Sequence, residues 1–229
     1  MWLPPVPPRA VLYLNDGQNV FADARSRRPK WRADEVASLL IAAREIAPVA
    51  IVGIHHGGPV RRWAEYLPYA DPRNPRARRF DADRYADVVV QRVMPAVERL
   101  HPAIARAACV GIGGSSYGAV AAIHTAVRHP RVFDRVLVES PPLWVGDGRI
   151  IEEARRGLRG ARVWIAVGTR ESTRPGRSAE LVALARRLAR ALRGGAQVRA
   201  RIVAGATHHE TAWAARLPDA LRWLFPMNA

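Results

Sequence analysis

The sequence contains very little cysteine. Cys109 is the only one among 229 residues, so an internal disulfide and a metal site made of several thiolates are both excluded. Cys109 stands in an apolar run, which is typical of a packed core position. His55 and His56 are adjacent, but no carboxylate or cysteine accompanies them at the spacing of a metal site. We therefore predict neither a metal centre nor a cofactor.

Lysine is nearly absent as well. Lys30 is the only lysine among 36 basic residues, which with 20 acidic residues give a formal net charge of +16. Such a charge is common in nucleic-acid-binding proteins. Here the arginines are scattered over predicted helix surfaces, with local clusters only at residues 25–32 and 76–79. The pattern resembles GC-rich codon usage, so we predict weak, salt-sensitive attraction to polyanions and no specific nucleic-acid partner.

Long apolar runs are also missing. No run approaches the roughly 20 residues that a membrane-spanning helix needs. The first nine residues, MWLPPVPPR, lack the charged and then apolar layout of a signal peptide. We expect a soluble, cytoplasmic protein that does not act on membranes.

Short apolar runs alternate with helical patterns along the whole chain. Because parallel strands need helical crossovers, this alternation predicts an α/β fold with a mostly parallel sheet covered by helices on both faces. No internal boundary is visible, so residues 1–229 are predicted to form a single domain. The predicted strands are residues 10–15, 49–54, the run around Val110 and Ile112, 135–139, 162–167 and 198–203. The predicted helices are residues 35–46, 81–97, 117–129, 178–192 and 210–225.

Two segments lack a clear pattern. Residues 59–80 are rich in proline and arginine and are predicted to be a loop. Residues 140–160 are predicted to be an irregular excursion over the site. Pro95 should break or kink the helix that contains it, because proline cannot donate an intrahelical hydrogen bond.

Residues 113–118, GGSSYG, carry the strongest chemical signal. Gly114, Ser116 and Gly118 form a G-x-S-x-G pattern between an apolar strand and an apolar helix. Glycine on both sides permits the strained turn that raises a nucleophilic serine above a sheet edge. The amide of Tyr117 opens the helix, where its N–H can face a developing oxyanion.

The residues that follow the other strands extend this signal. Ligands bind where the carboxyl ends of parallel strands meet. Glu139 follows the fourth strand, Glu171 the fifth, and His208 and His209 the sixth. The order serine, acid, histidine is that of α/β hydrolases. A histidine can take the serine proton and a carboxylate can fix its tautomer; both acids and both histidines remain candidates at this point.

The chain resembles the putative-esterase branch of the α/β hydrolases, which includes enterochelin-esterase-like proteins, S-formylglutathione hydrolases, feruloyl esterases and mycolyltransferases. The similar pieces are VLYLNDGQNVF at 11–21, RRWAEY at 61–66, GGSSYGAV at 113–120, HPRVFDRV at 129–136, SPPLW at 140–144, HHETAW at 208–213 and RWLF at 222–225.

This resemblance implies Ser116 as the nucleophile. The family motif H-x-E-x-x-W matches His208, Glu210 and Trp213, which selects His208 as the base. Glu171 is acceptable as the acid, since the family uses Asp or Glu there. The resemblance also implies an oxyanion hole made by the amides of Gln18 and Tyr117.

The resulting hypothesis is a serine carboxylic-ester hydrolase acting on a small-molecule ester through an acyl-enzyme. Trp144, His55 and Asn19 are candidates for the substrate pocket. An acyltransferase using the same triad, a non-catalytic binding protein of the same fold and a basic polyanion-binding module are the alternatives. The sequence does not identify the ester.

The chain departs from the family pattern at two places. Ala119 replaces a usual glycine after the nucleophile, and the first two antiparallel strands of the family are missing before residues 10–15. Without them the strand at 49–54 becomes an open apolar edge. Residues 2–8 include four prolines, so we expect them to cover this edge poorly. We predict a homodimer through residues 49–54 or a longer gene product, unless the 59–80 segment folds over the edge.

Overall fold

Six parallel strands form one sheet in the computed structural model, which describes residues 1–23 and 29–227. The strands are β1 Ala10–Asn15, β2 Val49–Ile54, β3 Cys109–Ser115, β4 Arg135–Glu139, β5 Arg162–Arg170 and β6 Gln197–Thr207. The sheet order is β2-β1-β3-β4-β5-β6, and each neighbouring pair is parallel. This confirms the predicted fold class. Residues 25–28 of the arginine cluster predicted at 25–32 lie outside the described residues.

Helices cover both faces of the sheet. Because side chains alternate along a strand, Val11 and Tyr13 of β1 pack into one buried cluster, and Leu12 and Leu14 pack into another. The described helices are α1 Ala33–Ala42, α2 Pro59–Tyr66, α3 Ala82–Val88, α4 Met94–Leu100, α5 Tyr117–Arg128, α6 Arg149–Gly157, α7 Arg177–Leu192 and α8 Glu210–Leu224. The first cluster includes side chains of α2 to α7, and the second includes side chains of α1 and α8.

Two helices lie where the sequence predicted irregular chain. Helix α2 begins at Pro59, in the segment predicted to be a loop. A proline at the first helical position costs nothing, because that N–H has no intrahelical acceptor in any case. Helix α6 lies in the 140–160 segment, and its Ile150, Ile151 and Ala154 are buried. The predictions of a loop at 59–66 and of an irregular excursion at 149–157 were therefore wrong.

The helix predicted over residues 81–97 changes its geometry just before Pro95, where a break or a kink was expected, but the chain stays helical. A π-helical turn at Val89–Val93 separates α3 from α4, and Pro95 is the second residue of α4. The wider turn accommodates the missing hydrogen-bond donor of the proline. No helix within residues 1–23 and 29–227 combines the length and apolarity needed to cross a membrane.

The outer edge of β2 is partly covered by the amino-terminal segment. Trp2 and Ile51 form an antiparallel bridge with two hydrogen bonds, from Trp2 N to Ile51 O at 2.9 Å and from Ile51 N to Trp2 O at 3.0 Å. The expectation that residues 2–8 would cover this edge poorly needs correction at Ile51 only, where Trp2 precedes the prolines and keeps its N–H. A dimer through Val49–Ile54 stays a prediction.

Candidate active site

Ser116 lies in a strained turn between β3 and α5. Its backbone has φ 54° and ψ −130°, a conformation that a residue with a Cβ rarely adopts and that functional sites can hold. The surroundings maintain this turn. Ser116 N donates to Glu139 O at 2.9 Å, and the backbone beside Gly114 is very close. A Cβ at Gly114 would lie 2.7 Å from the carbonyl carbon and oxygen of Gly118, which explains the glycine there.

His208 and Glu171 form a hydrogen-bonded pair. Nδ1 of His208 lies 2.7 Å from Oε2 of Glu171, whose side chain is fully buried. The other oxygen, Oε1, accepts from Ser140 Oγ at 2.7 Å and from the amide of Gly168 at 2.5 Å. Burial opposes the charge, but the hydrogen bonds from His208, Ser140 and Gly168 hold the pKa of Glu171 below its usual value. The carboxylate is therefore ionised at neutral pH and fixes the orientation of the imidazole.

Glu139, the other candidate acid, has a different set of partners. Its Oε2 accepts from Arg216 Nε at 2.8 Å and from Nη2 at 2.7 Å, and its Oε1 accepts from Trp164 Nε1 at 3.0 Å. Both members of the ion pair are buried. Arg216 Nη2 also lies 3.3 Å from Ser140 Oγ. Glu139 is thus linked to Glu171 through Arg216 and Ser140, without contacting His208.

The two histidines at the start of α8 have different surroundings. His209 is exposed and caps the helix, accepting from Thr211 N. The ring of His208 meets the edge of Trp213 at a centroid distance of 5.1 Å and an interplanar angle of 84°. Trp213 Nε1 donates to Ser140 Oγ at 2.9 Å. The same tryptophan therefore contacts the imidazole of His208 and the serine that donates to Glu171.

A cavity of about 230 Å³ brings Ser116, Glu171 and His208 together with the predicted pocket residue Trp144. The other predicted pocket residues, Asn19 and His55, do not line it. Asn19 Nδ2 donates to Glu210 Oε1 at 3.2 Å, and His55 is exposed. The cavity lining is Ser116, Tyr117, Pro142, Trp144, Glu171, Ser172, Arg177, Leu181 and His208.

The turn after β1 carries the predicted oxyanion donor Gln18. It begins at Asp16, which has a left-handed φ of 59°, and continues as a 3-10 turn over Gly17–Asn19. Gly17 lies against β2, since an added Cβ would be 2.5 Å from the carbonyl carbon of Gly53. The Gln18 carbonyl accepts from Lys30 Nζ at 2.5 Å. Asp16 also adjoins the start of α5, because a Cβ at Gly118 would lie 2.9 Å from its Oδ2.

A polar network around this turn was missed from the sequence. Arg62 of α2 binds the carboxylate of Asp16, and the hydroxyl of Tyr66 accepts from Asp16 N at 3.0 Å. Tyr85 OH donates to Asn15 Oδ1 at 2.5 Å, and Asn15 Nδ2 donates to the Gly118 carbonyl at 2.8 Å. The RRWAEY segment at 61–66 resembles the family and contains both Arg62 and Tyr66. Because this segment was predicted to be a loop, its contacts with Asp16 were not predicted.

Asp71 was also missed, because it lies in a segment without periodicity. Its carboxylate is buried and accepts from Tyr117 OH at 2.5 Å and from Trp144 Nε1 at 3.1 Å. Asp71 thereby connects the residue after the nucleophile with a wall of the cavity. Burial and the neighbouring Asp71 carboxylate raise the pKa of Tyr117, so its hydroxyl stays protonated and donates. Within the described residues, no group of three or more His, Cys, Asp or Glu could hold a metal ion.

The family model and the curated relatives that match this chain are all named as esterases. The model of a family described as "Putative esterase" matches residues 2–224. The iron(III) enterobactin esterase of Dickeya dadantii (strain 3937) is 29% identical over 166 residues, which are 65% of this chain and 37% of that protein. The siderophore enterobactin esterase of Emericella nidulans is 27% identical over 161 residues, which are 67% of this chain and 53% of that protein.

The chain thus spans about a third to a half of the length of these curated relatives. Among solved structures, an IroE-like serine hydrolase from Shewanella oneidensis is similar, with a TM-score of 0.73 and 21% identity. That match covers 98% of this chain and 74% of the solved chain. At this identity, the likeness supports the fold alone.

Proposed function

This chain belongs to the putative esterase family, and we propose that it is a serine carboxylic-ester hydrolase that works through an acyl-enzyme. The observation that carries the proposal is the 2.7 Å contact between His208 Nδ1 and Glu171 Oε2, at a cavity that Ser116 also lines. A nucleophile in a strained elbow, a base and an orienting carboxylate are the three groups that acyl transfer by serine requires.

The carboxylate of Glu171 selects one tautomer of His208. Because Nδ1–H donates to the ionised carboxylate, Nε2 carries the lone pair that can accept the serine proton. Oγ of Ser116 then attacks the ester carbonyl carbon while its proton moves to Nε2. The positive imidazolium that forms is stabilised by the buried negative charge of Glu171.

The tetrahedral intermediate carries a negative oxygen, which needs donors in place before the reaction. The amide of Tyr117 begins α5 and has no intrahelical acceptor, and the amide of Gln18 lies in the turn held by Asp16 and Gly17. In this proposal the two amides bind the oxyanion, a contribution that typically accelerates such reactions about 100- to 1,000-fold per donor.

Collapse of the intermediate breaks the bond to the alcohol oxygen, which takes the proton from His208. Water then attacks the acyl-enzyme and gives a proton to Nε2. The bond to Ser116 breaks, the proton returns to the serine oxygen, and a carboxylic acid is released. The alcohol and the acid account for all atoms of the ester and the water.

The test is covalent labelling by a fluorophosphonate probe combined with hydrolysis of a panel of p-nitrophenyl esters and a catecholate siderophore ester. The siderophore ester is included because the curated relatives are named for enterobactin hydrolysis. We expect labelling of the wild-type chain at Ser116, and loss of both labelling and hydrolysis in Ser116→Ala.

Ser115→Ala is the matched control, because Ser115 is adjacent but buried at the end of β3. It should keep the label and most of the activity. Product analysis with a competing alcohol separates hydrolysis from acyl transfer. A folded wild-type chain that neither reacts with the probe nor hydrolyses any ester would contradict the proposal and favour a binding protein.

A further inference from the structure

Two arginines contact the indole of Trp144, and only one of them is paired with an acid. The Cζ atom of Arg73 lies 3.9 Å from the ring centroid, and that of Arg177 lies 5.4 Å from it. Arg73 Nη2 donates to Glu180 Oε1 at 2.5 Å. Within the part of the chain that the structure describes, no carboxylate pairs with Arg177.

Trp144 itself is held in place by Asp71. Its Nε1 donates to Oδ1 of that buried carboxylate, which also accepts from the amide of Arg73 at 2.8 Å and from Tyr117 OH at the other oxygen. The indole therefore forms a fixed wall of the cavity. Arg177 is the first residue of α7 and lines the same cavity as Ser116. Its guanidinium lies beside the indole of Trp144 and has N–H donors that can bind a ligand.

The two carboxylates near the cavity, Glu171 and Asp71, already have hydrogen-bond partners. Glu171 is bound to His208, Ser140 and the Gly168 amide, and Asp71 is bound to Tyr117, Trp144 and the Arg73 amide. Leu181 and Pro142 supply apolar lining next to Arg177, which strengthens electrostatic interactions there. The cavity thus presents one cation without an internal counter-ion.

We propose that Arg177 is a specificity-determining residue that binds an anionic group, carboxylate or phenolate, of the ester substrate. This inference rests on the proposed ester hydrolysis. A guanidinium offers two parallel N–H donors to a carboxylate, and Trp144 offers a flat surface for an aromatic part of the same substrate. The enzyme therefore prefers anionic esters over neutral esters of the same shape.

The experiment uses two matched substrate pairs. The butyrate ester of 4-hydroxybenzoate is compared with that of 4-hydroxybenzamide, which places the charge on the alcohol side. The p-nitrophenyl hemi-ester of glutarate is compared with its methyl-capped form, which places the charge on the acyl side. In at least one pair we expect the wild-type kcat/KM to favour the anionic ester by roughly 10- to 100-fold, the range of a hydrogen bond to a charged group.

Arg177→Gln should bring this ratio close to one, chiefly by raising the KM of the anionic ester, and should change the kcat/KM of the neutral ester much less. Arg177→Lys, which keeps the charge but loses the two-pronged geometry, should give an intermediate ratio. Arg174→Gln is the control, because Arg174 is exposed in the preceding loop and does not line the cavity. It should leave the ratio unchanged.

An unchanged ratio in both Arg177 variants, or a wild-type preference for neutral esters in both pairs, would overturn the inference while hydrolysis itself stands. If the wild-type chain hydrolyses none of the four esters and Ser116 does not react with the fluorophosphonate, the proposed function fails and this inference fails with it. The neutral esters also report folding, since a variant that still cleaves them has a folded site.

Discussion

Arg62 donates two hydrogen bonds to the carboxylate of Asp16, from Nε at 2.6 Å and from Nη2 at 2.7 Å. The pair joins α2 to the turn that carries the amide of Gln18. Burial opposes the charge on Arg62, but its bonds to Asp16 hold the pKa of the guanidinium above its usual value. The guanidinium is therefore charged, and it lies against the Asp16 carboxylate beside the start of α5.

The first prediction concerns this pair. Arg62→Met should lower kcat for a short neutral ester roughly 10- to 100-fold with little change in KM, because a partly buried, unpaired Asp16 carboxylate costs several kcal/mol and opposes the developing oxyanion. Asp16→Asn combined with Arg62→Met should be less impaired than Arg62→Met alone, since the double variant has no unpaired charge. Steady-state kinetics of Arg62→Met, Asp16→Asn and the double variant measures this.

Arg61→Met is the control for that cycle, because the side chain of Arg61 is 73% exposed and pairs with Glu65 on the same helix. It should behave as wild type. Equal losses in the Arg61 and Arg62 variants, or additive losses in the double variant, would show that the Asp16 contact does not support the oxyanion turn.

A second prediction separates the two histidines at the start of α8. His208→Ala should lower kcat/KM by several orders of magnitude, because it removes the base that activates the serine. His209→Ala should cost less than about tenfold, since it removes only a helix cap. Hydrolysis rates of both variants measure the difference, and circular dichroism establishes that both are folded. Similar losses of activity would contradict the assignment of His208 as the base.

A third prediction contrasts the two buried acids. Glu171→Gln should lower kcat strongly and leave the fold intact, because the amide cannot stabilise the imidazolium. Glu139→Gln should act mainly on stability, by about 3–5 kcal/mol, since it leaves the Arg216 charge uncompensated in the core. Urea unfolding measures the change in stability. Ester hydrolysis rates, divided by the amount of Ser116 that the fluorophosphonate labels, measure the change in catalysis. Loss of catalysis with unchanged stability in Glu139→Gln would move the acid to β4.

A fourth prediction follows from the lowered pKa of Glu171. A group that holds its proton less tightly in the folded state stabilises the fold fully above its unfolded-state pKa and loses this contribution as the pH falls through the native value. The stability difference between wild type and Glu171→Gln should therefore be largest at a pH where the Glu171 carboxylate is ionised. It should shrink below the ordinary value of 4.5. Urea midpoints on both sides of this value measure it, and a difference that grows in acid would contradict the assigned sign.

The fifth prediction concerns the bridge between Trp2 and Ile51. Trp2→Pro removes one of its two hydrogen bonds and should expose the edge of β2, increasing self-association through Val49–Ile54. Light scattering and amide exchange across that strand provide the measurement. Trp2→Ala is the matched control, because it keeps the backbone donor. An unchanged molecular mass and unchanged protection in Trp2→Pro would argue against a dimer at this edge.

The strands and the elbow could be predicted because their signals are local. The ranges 10–15, 49–54 and 135–139 agree with β1, β2 and β4, since an apolar run between turn residues needs no distant information. Helices α2 and α6 were missed for a local reason too. Each has fewer than ten residues and directly follows a glycine, Gly58 or Gly148.

The sequence by itself determined the order of the strands, the Ser116 turn and the polar residues at the strand ends. Only the tertiary structure decided which of these residues pair. Glu171, rather than Glu139, contacts His208 across 37 positions, Arg62 reaches Asp16 across 46, and Asp71 reaches Trp144 across 73. Such pairs depend on how side chains from different elements pack against one another, and no spacing along the chain encodes that geometry.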